Sequence, residues 1–205
     1  MQQFIDAFTE YLKVEKNVSE HTCRNYISDL MMFKEYVDRD IDIKAIDNLA
    51  VRGFLGLLSR KGEKKSSIAR RLSVLRTFFK YLHREGYVEI NPAKIVATPK
   101  QEKMMPAFLS VDDAFSLMEM PVGADVLTLR DKAILETFYS SGLRISELVG
   151  LDIEDIDFIS GIVKVLGKGR KERIVPIGDS ALLAIRQYLA KRKKELNVLF
   201  LNKNK

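Results

Sequence analysis

Two short segments set cations against glycine. In Ser141-Gly142-Leu143-Arg144-Ile145-Ser146-Glu147-Leu148 an arginine follows a glycine closely, and in Gly167-Lys168-Gly169-Arg170-Lys171-Glu172-Arg173 a lysine stands between two glycines. A planar guanidinium binds two oxygens of a phosphate at once and stabilises the charge that grows on them when phosphorus is attacked. Bare backbone on both sides of Lys168 permits close approach to a ligand, and an ammonium there can protonate a departing oxygen. Glu147, one helical turn after Arg144, can hold the guanidinium in place. Taken alone, Arg144 reads as an ordinary surface arginine, and Arg170, Lys171 and Arg173 read as phosphate contacts or as a solvated loop.

The elements that must position these residues follow from spacing. Phe4, Phe8, Tyr11 and Leu12 recur at helical intervals, and Asn17-Val18-Ser19 interrupts them with Ser19 as the N-cap of a helix over 20–38. Cys23, Tyr26, Leu30, Phe33 and Val37 form its apolar stripe. A third helix over about Leu49 to Arg60 stops at Lys61-Gly62, and a fourth, capped by Ser66 or Ser67, runs to Gly86. Pro92, Pro99 and Pro106 then deny residues 91–107 a regular ladder, so the segment reads as a linker between a helical domain, 1–90, and a second domain, 108–205. Ser110 opens a helix there, Leu127 to Tyr139 forms another that closes at Gly142, and a short one starts near Arg144. Ile156–Phe158, Gly161–Leu166 and Glu172–Ile177 are short, β-branched and turn-bounded, which predicts an antiparallel meander. A helix over about Asp179 to Leu196 follows. The fold class is mainly α with this small β-meander: a four-helix domain and a partial α+β domain.

Charge narrows the partner. Lys and Arg number 34 against 28 Asp and Glu, a formal charge of +6, and the stretch from Arg60 to Arg84 has Glu63 as its only acid. Projected at about 100° per residue, Ile68, Leu72, Leu75, Phe79 and Leu82 of the fourth helix fall on one side and Arg70, Ser73, Thr77, Lys80 and Arg84 on the other. Such a face suits a DNA groove, where phosphates supply affinity and a few base-edge bonds supply specificity; the plainer reading is a solvated helix face. Arg71 projects beside the stripe and reads as an internal contact. Cys23 is the sole cysteine and His21 and His83 lie on separate helices, which argues against a disulfide framework or a metal centre. No stretch approaches the roughly 18 apolar residues of a membrane span, and a soluble, cytoplasmic protein is expected.

With Leu129-Arg130-Asp131 before it and Leu151 after it, the Ser141–Leu148 segment resembles the first catalytic box of the tyrosine recombinases, the phage-integrase and Xer-type family. Gly167 to Arg173 followed by Val175-Pro176 is similar to the family's β-hairpin, whose lysine is catalytic. Ser19, Thr22, Tyr26, Asp29, Leu30 and Phe33 match its SxxTxxxYxxDLxxF-like pattern, and Arg70 to Tyr81 its core-binding fourth helix. The resemblance implies that Arg144 binds the scissile phosphate, that Glu147 supports it, and that Lys168 protonates the leaving 5′ oxygen. It also implies duplex DNA held between two domains, a 3′-phosphotyrosine intermediate, other protomers in a tetramer, and no metal or nucleotide cofactor.

The family's His-x-x-Arg box, its later His or Trp and its nucleophilic Tyr have no counterpart here. No histidine follows His83, and Tyr188, the only tyrosine beyond the hairpin, lies in QYLAKRKK, where a core role fits better. The expectation is a catalytically incomplete portion that ends before the second box. The alternative is a non-cleaving DNA-binding accessory or inhibitor of recombination. A basic helical RNA-binding protein would keep the charge and leave the boxes unexplained.

Overall fold

Apolar residues at helical spacing build the first unit from α1 (Gln2–Val14), α2 (Glu20–Tyr36), α3 (Asn48–Arg60) and α4 (Lys65–Arg84). The computed structural model describes residues 1–37, 41–100, 105, 107–167, 171–193 and 196–202. The chain divides into two compact units, Met1–Met105 and Pro106–Lys205. In the first, Phe8, Leu30, Phe33, Phe54, Leu72, Phe78 and Phe79 are buried together. The ring of Phe8 meets Phe78 edge-on at 5.4 Å between centroids, and that of Phe33 meets Phe54 likewise at 5.2 Å. Edge-to-face packing of this kind sets the positive rim of one ring against the negative face of the other.

Local chemistry sets the helix ends. Ser19 Oγ accepts from the Thr22 backbone N–H at 3.3 Å, as expected of an N-cap. Gly62 and Gly86, just past α3 and α4, take φ of +77° and +76°, a left-handed backbone that glycine adopts without a Cβ penalty. The start of α4 differs from expectation. Lys64 is its N-cap and makes no side-chain cap bond, so Ser66 and Ser67 lie inside the first turn. The helix begins early because the Ile68 N–H already closes a turn on the Lys64 carbonyl at 3.1 Å and Ile68 is buried in the core.

Residues 91–96, read from their prolines as the start of a linker, pack onto the first unit, with Ala93 and Val96 buried in its core. Arg76 of α4 accounts for this. Its guanidinium donates to the carbonyls of Ala93 at 3.2 Å and Val96 at 2.6 Å and to Thr98 Oγ1 at 3.0 Å. Asn91 Nδ2 returns a bond to the Arg76 carbonyl at 2.9 Å. Proline removes backbone donors and leaves carbonyls, and the side chain of Arg76 supplies the missing donors.

The second unit comprises α5 (Val111–Glu119), α6 (Val126–Ser141), α7 (Ile145–Val149), β1 (Ile156–Asp157), β2 (Ile162–Leu166), β3 (Glu172–Pro176) and α8 (Asp179–Lys191). Ser110 and Asp113 form a reciprocal capping box on α5. The strands form an antiparallel sheet in the order β1-β2-β3, with Ile156 opposite Val163 and Val165 opposite Arg173. The α6 helix packs on α8, and Ala133, Val163, Val165, Ile185, Tyr188 and Leu199 are buried between helices and sheet.

The last helix, expected to reach Leu196, ends at Lys191. Just past its end, Arg192 Nη1 donates to the carbonyls of Val198 at 2.6 Å and Leu199 at 3.0 Å while Nη2 donates to that of Leu196. No helix among the described residues is long and apolar enough to cross a membrane.

Candidate functional site

Gly142 closes α6 with φ +59° and ψ +28°, a left-handed turn that redirects the chain immediately before Arg144. Leu143 is buried in the second core, so the chain is anchored at that point and Arg144 emerges as the N-cap of α7. Its side chain is 69% exposed, whereas that of Glu147, one turn later, is 4% exposed. Glu147 Oε2 accepts from the Arg144 backbone N–H at 2.8 Å, and Oε1 accepts from Arg144 Nη1 at 2.9 Å. The guanidinium is thereby fixed at its inner edge and open at its outer edge.

A third donor completes the carboxylate. Arg173 Nη2 donates to Glu147 Oε2 at 3.0 Å from β3. The Arg144 backbone N–H, with the two guanidiniums behind it, holds the Glu147 carboxyl below its ordinary value of 4.5 against the opposing effect of burial. Arg173, read as a phosphate contact or part of a solvated loop, lies in a strand and not in a loop, with its guanidinium half-exposed and anchored on Glu147. Sequence spacing offered no sign of this bond, because a contact between β3 and α7 depends on how the sheet docks.

The rest of the hairpin is described in part. Gly167 N–H donates to the Lys171 carbonyl at 2.8 Å, and Lys171 is exposed. Lys164 and Glu172 pair across the two strands at 3.0 Å. Lys168 and Arg170 lie outside the described residues.

In the first unit, Arg70, Ser73, Lys80 and Arg84 are exposed and Thr77 is half-buried, all on the side of α4 away from its core. Their chemistry is less free than the helical projection implied. Arg70 forks onto Asp29 of α2, with Nη2 to Oδ1 at 3.1 Å and Nη1 to Oδ2. Arg84 donates to Glu85 at 2.7 Å, lies 3.3 Å from Glu15, and covers the Tyr11 ring at 4.4 Å. Thr77 Oγ1 donates to the Ser73 carbonyl at 2.9 Å. Among the described residues Lys80 has no ion pair. Arg71, read as an internal contact, is buried and pairs with Glu63 and Asp29. An acid beside the α2 stripe and an arginine beside the α4 stripe were the available signals for this cluster.

Tyr188 is 1% exposed. Its hydroxyl accepts from the Leu201 N–H at 3.1 Å and its ring stacks on Phe200, the core role its sequence context suggested. Arg130 Nη1 donates to the Leu201 carbonyl at 3.0 Å, tying the same segment to α6.

Comparison with known proteins agrees with this architecture. Residues 5–86 match the phage integrase N-terminal SAM-like domain and residues 107–205 match the phage integrase family. The tyrosine recombinase XerC of Syntrophus aciditrophicus is 47% identical over 201 residues, covering 94% of this chain and 65% of that protein. The XerC of Thermodesulfovibrio yellowstonii is 45% identical over 210 residues, covering 98% and 69%. The chain thus spans about two thirds of the length of these relatives.

Among solved structures, the Tn1549 transposon integrase in complex with transposon right end DNA superposes with a TM-score of 0.77 at 18% identity, covering 98% of this chain and 71% of that one. A lambda integrase tetramer bound to a Holliday junction superposes at 0.72 and 18%, covering 99% and 60%. Fold likeness at such identity speaks to architecture alone. With both family matches in chain order and close relatives along nearly its whole length, the chain belongs to the tyrosine recombinase, or phage integrase, family.

Proposed function

We propose that this chain is the DNA-binding and first-box portion of a XerC-like tyrosine recombinase, a site-specific recombinase that cleaves and rejoins DNA through a 3′-phosphotyrosine. The observation that supports this best is Arg144, held at its inner edge by a buried carboxylate and open outward, inside a family-matched segment. In this reading Arg144 binds the non-bridging oxygens of the scissile phosphate, Glu147 holds Arg144, and Lys168 protonates the departing 5′ oxygen. The helical unit, 1–90, is the core-binding domain. Its α4 face, with Arg70, Ser73, Thr77, Lys80 and Arg84, lies on duplex DNA, and Arg170, Lys171 and Arg173 add contacts from the second unit.

Other protomers complete the assembly, as in the integrase tetramer on a Holliday junction. The burial of Tyr188 favours a nucleophile supplied from outside these 205 residues. On that basis the chain alone occupies DNA without cutting it, which is also how an accessory or inhibitor would act.

The roles of Arg144 and Lys168 are separable in a chimaera that carries the C-terminal third of the Syntrophus relative. A 5′-bridging phosphorothioate leaves as a thiolate that needs no proton, so Lys168→Ala should recover toward wild type on that substrate. Arg144→Ala should keep its deficit of roughly 3 kcal/mol or more, because charge on the non-bridging oxygens grows whichever atom leaves. Equal rescue of both variants, or none of Lys168→Ala, would place the acid elsewhere.

A further inference from the structure

The arginines of this protein differ in how much of their charge is already spent. Arg70 and Arg71 face two carboxylates, Asp29 and Glu63, and Arg84 faces two more, Glu15 and Glu85. Lys164 on β2 is matched by Glu172. At Glu147 the ratio reverses, with one carboxylate beneath two guanidiniums that have no other partner among the described residues. That cluster keeps an uncompensated positive charge at the surface.

Its geometry is that of a paired donor. Arg144 binds one oxygen of Glu147 through Nη1, and Arg173 binds the other through Nη2, at 2.9 and 3.0 Å. Each guanidinium has five N–H donors, and each spends one terminal nitrogen on Glu147. Their side chains are 69% and 46% exposed while the carboxylate between them is 4% exposed. Two like charges repel when brought together unless an anion separates them, and here the separating anion is built into the fold. The loss of side-chain freedom that gripping an oxyanion requires is therefore largely met before a ligand arrives.

We propose that Arg144 and Arg173 form a single phosphodiester seat, both guanidiniums donating to the non-bridging oxygens of the same phosphate, with Glu147 as the spacer that sets the two forks side by side. The inference rests on the second unit being a DNA-phosphate site, and it adds a second guanidinium, from β3, to the one in the Arg144 box. A general phosphate contact for Arg173 would place it on some other phosphate; the shared carboxylate places it on the one that Arg144 holds.

Counting phosphates by salt dependence tests this. The affinity of the 205-residue chain for a fluorescein-labelled duplex is measured by anisotropy across a salt series, for wild type, Arg144→Ala, Arg173→Ala, the double variant and Arg173→Lys, with folding checked by circular dichroism. Each neutralised phosphate adds about 0.9 to the slope of log K against log salt. If one phosphate is shared, either alanine variant weakens binding roughly tenfold with the slope unchanged, and only the double variant loses about 0.9. Arg173→Lys keeps the charge and the fold, so it should keep the slope and lose part of the affinity.

A loss of about 0.9 in each single variant and about 1.8 in the double would mean two separate phosphates and overturn the seat. An Arg173→Ala variant with unchanged affinity would make Arg173 a prop for Glu147 and overturn it as well. If wild type shows no salt-dependent duplex binding, the DNA reading falls and the seat with it; a normal wild-type slope with additive losses sinks the seat alone.

Discussion

The Arg70 guanidinium lies fork to fork on the carboxylate of Asp29, joining the exposed face of α4 to a buried position on α2. Arg71, the next residue, brings its Nε within 3.3 Å of the same carboxylate and bonds Glu63 on its other side. Two consecutive arginines thus share one acid. The outer one is half-exposed, and the inner one is buried.

Removing the shared acid should expose how much each arginine depends on it. Asp29→Asn leaves buried Arg71 one carboxylate short, and the first unit should lose about 2 kcal/mol, because a charge stripped of its partner in the interior retains its desolvation cost. Urea unfolding would show a lower midpoint at an unchanged m-value. In an Arg71→Met background the same change should cost much less. A midpoint that does not move in the wild-type background would mean that Glu63 alone suffices.

Arg76 should decide where the first unit ends. Its three bonds to residues 93–98 hold Lys94 in a packed segment although that side chain is exposed. Brief trypsin treatment of the wild type should spare the bond after Lys94, and Arg76→Ala should open it, since protease needs a length of backbone free to leave the surface. Equal cleavage at Lys94 in both proteins would show that burial of Ala93 and Val96 is enough without the guanidinium.

Tyr188 should be a stability residue and no more. Tyr188→Phe deletes the acceptor of the Leu201 N–H and should cost about 1 kcal/mol. Incubated with a nicked duplex, neither the wild-type chain nor this variant should give a covalent protein–DNA band on a denaturing gel. A wild-type band that disappears in Tyr188→Phe would make this tyrosine the nucleophile.

Glu147 should make the second unit acid-sensitive. Its folded pKa lies below the ordinary 4.5, so the stabilisation from its three bonds is fully present above that value and is lost as pH falls from 4.5 through the folded pKa. The melting temperature of Glu147→Gln should lie furthest below wild type near neutral pH and converge on it in acid. Parallel profiles for the two proteins across that range would remove Glu147 from the pH response.

Much of this architecture is a local matter and could be read from the chain. Ser19 caps α2, Gly62, Gly86 and Gly142 stop helices in left-handed turns, and the short β-branched runs after Ile156 pair as a meander, because each outcome depends on residues within a turn or two of one another. Periodicity likewise told which faces of α2 and α4 are buried. Only the tertiary structure decided which side chains meet across those faces: Arg173 on Glu147, Arg70 on Asp29, Arg84 beside Glu15, and Arg76 on the carbonyls of the Pro92 segment. Hydrophobic spacing specifies that a face turns inward and leaves open what lies opposite. A charged pair forms where two elements distant in sequence dock at one angle and register, and that is set by the packing of the whole core.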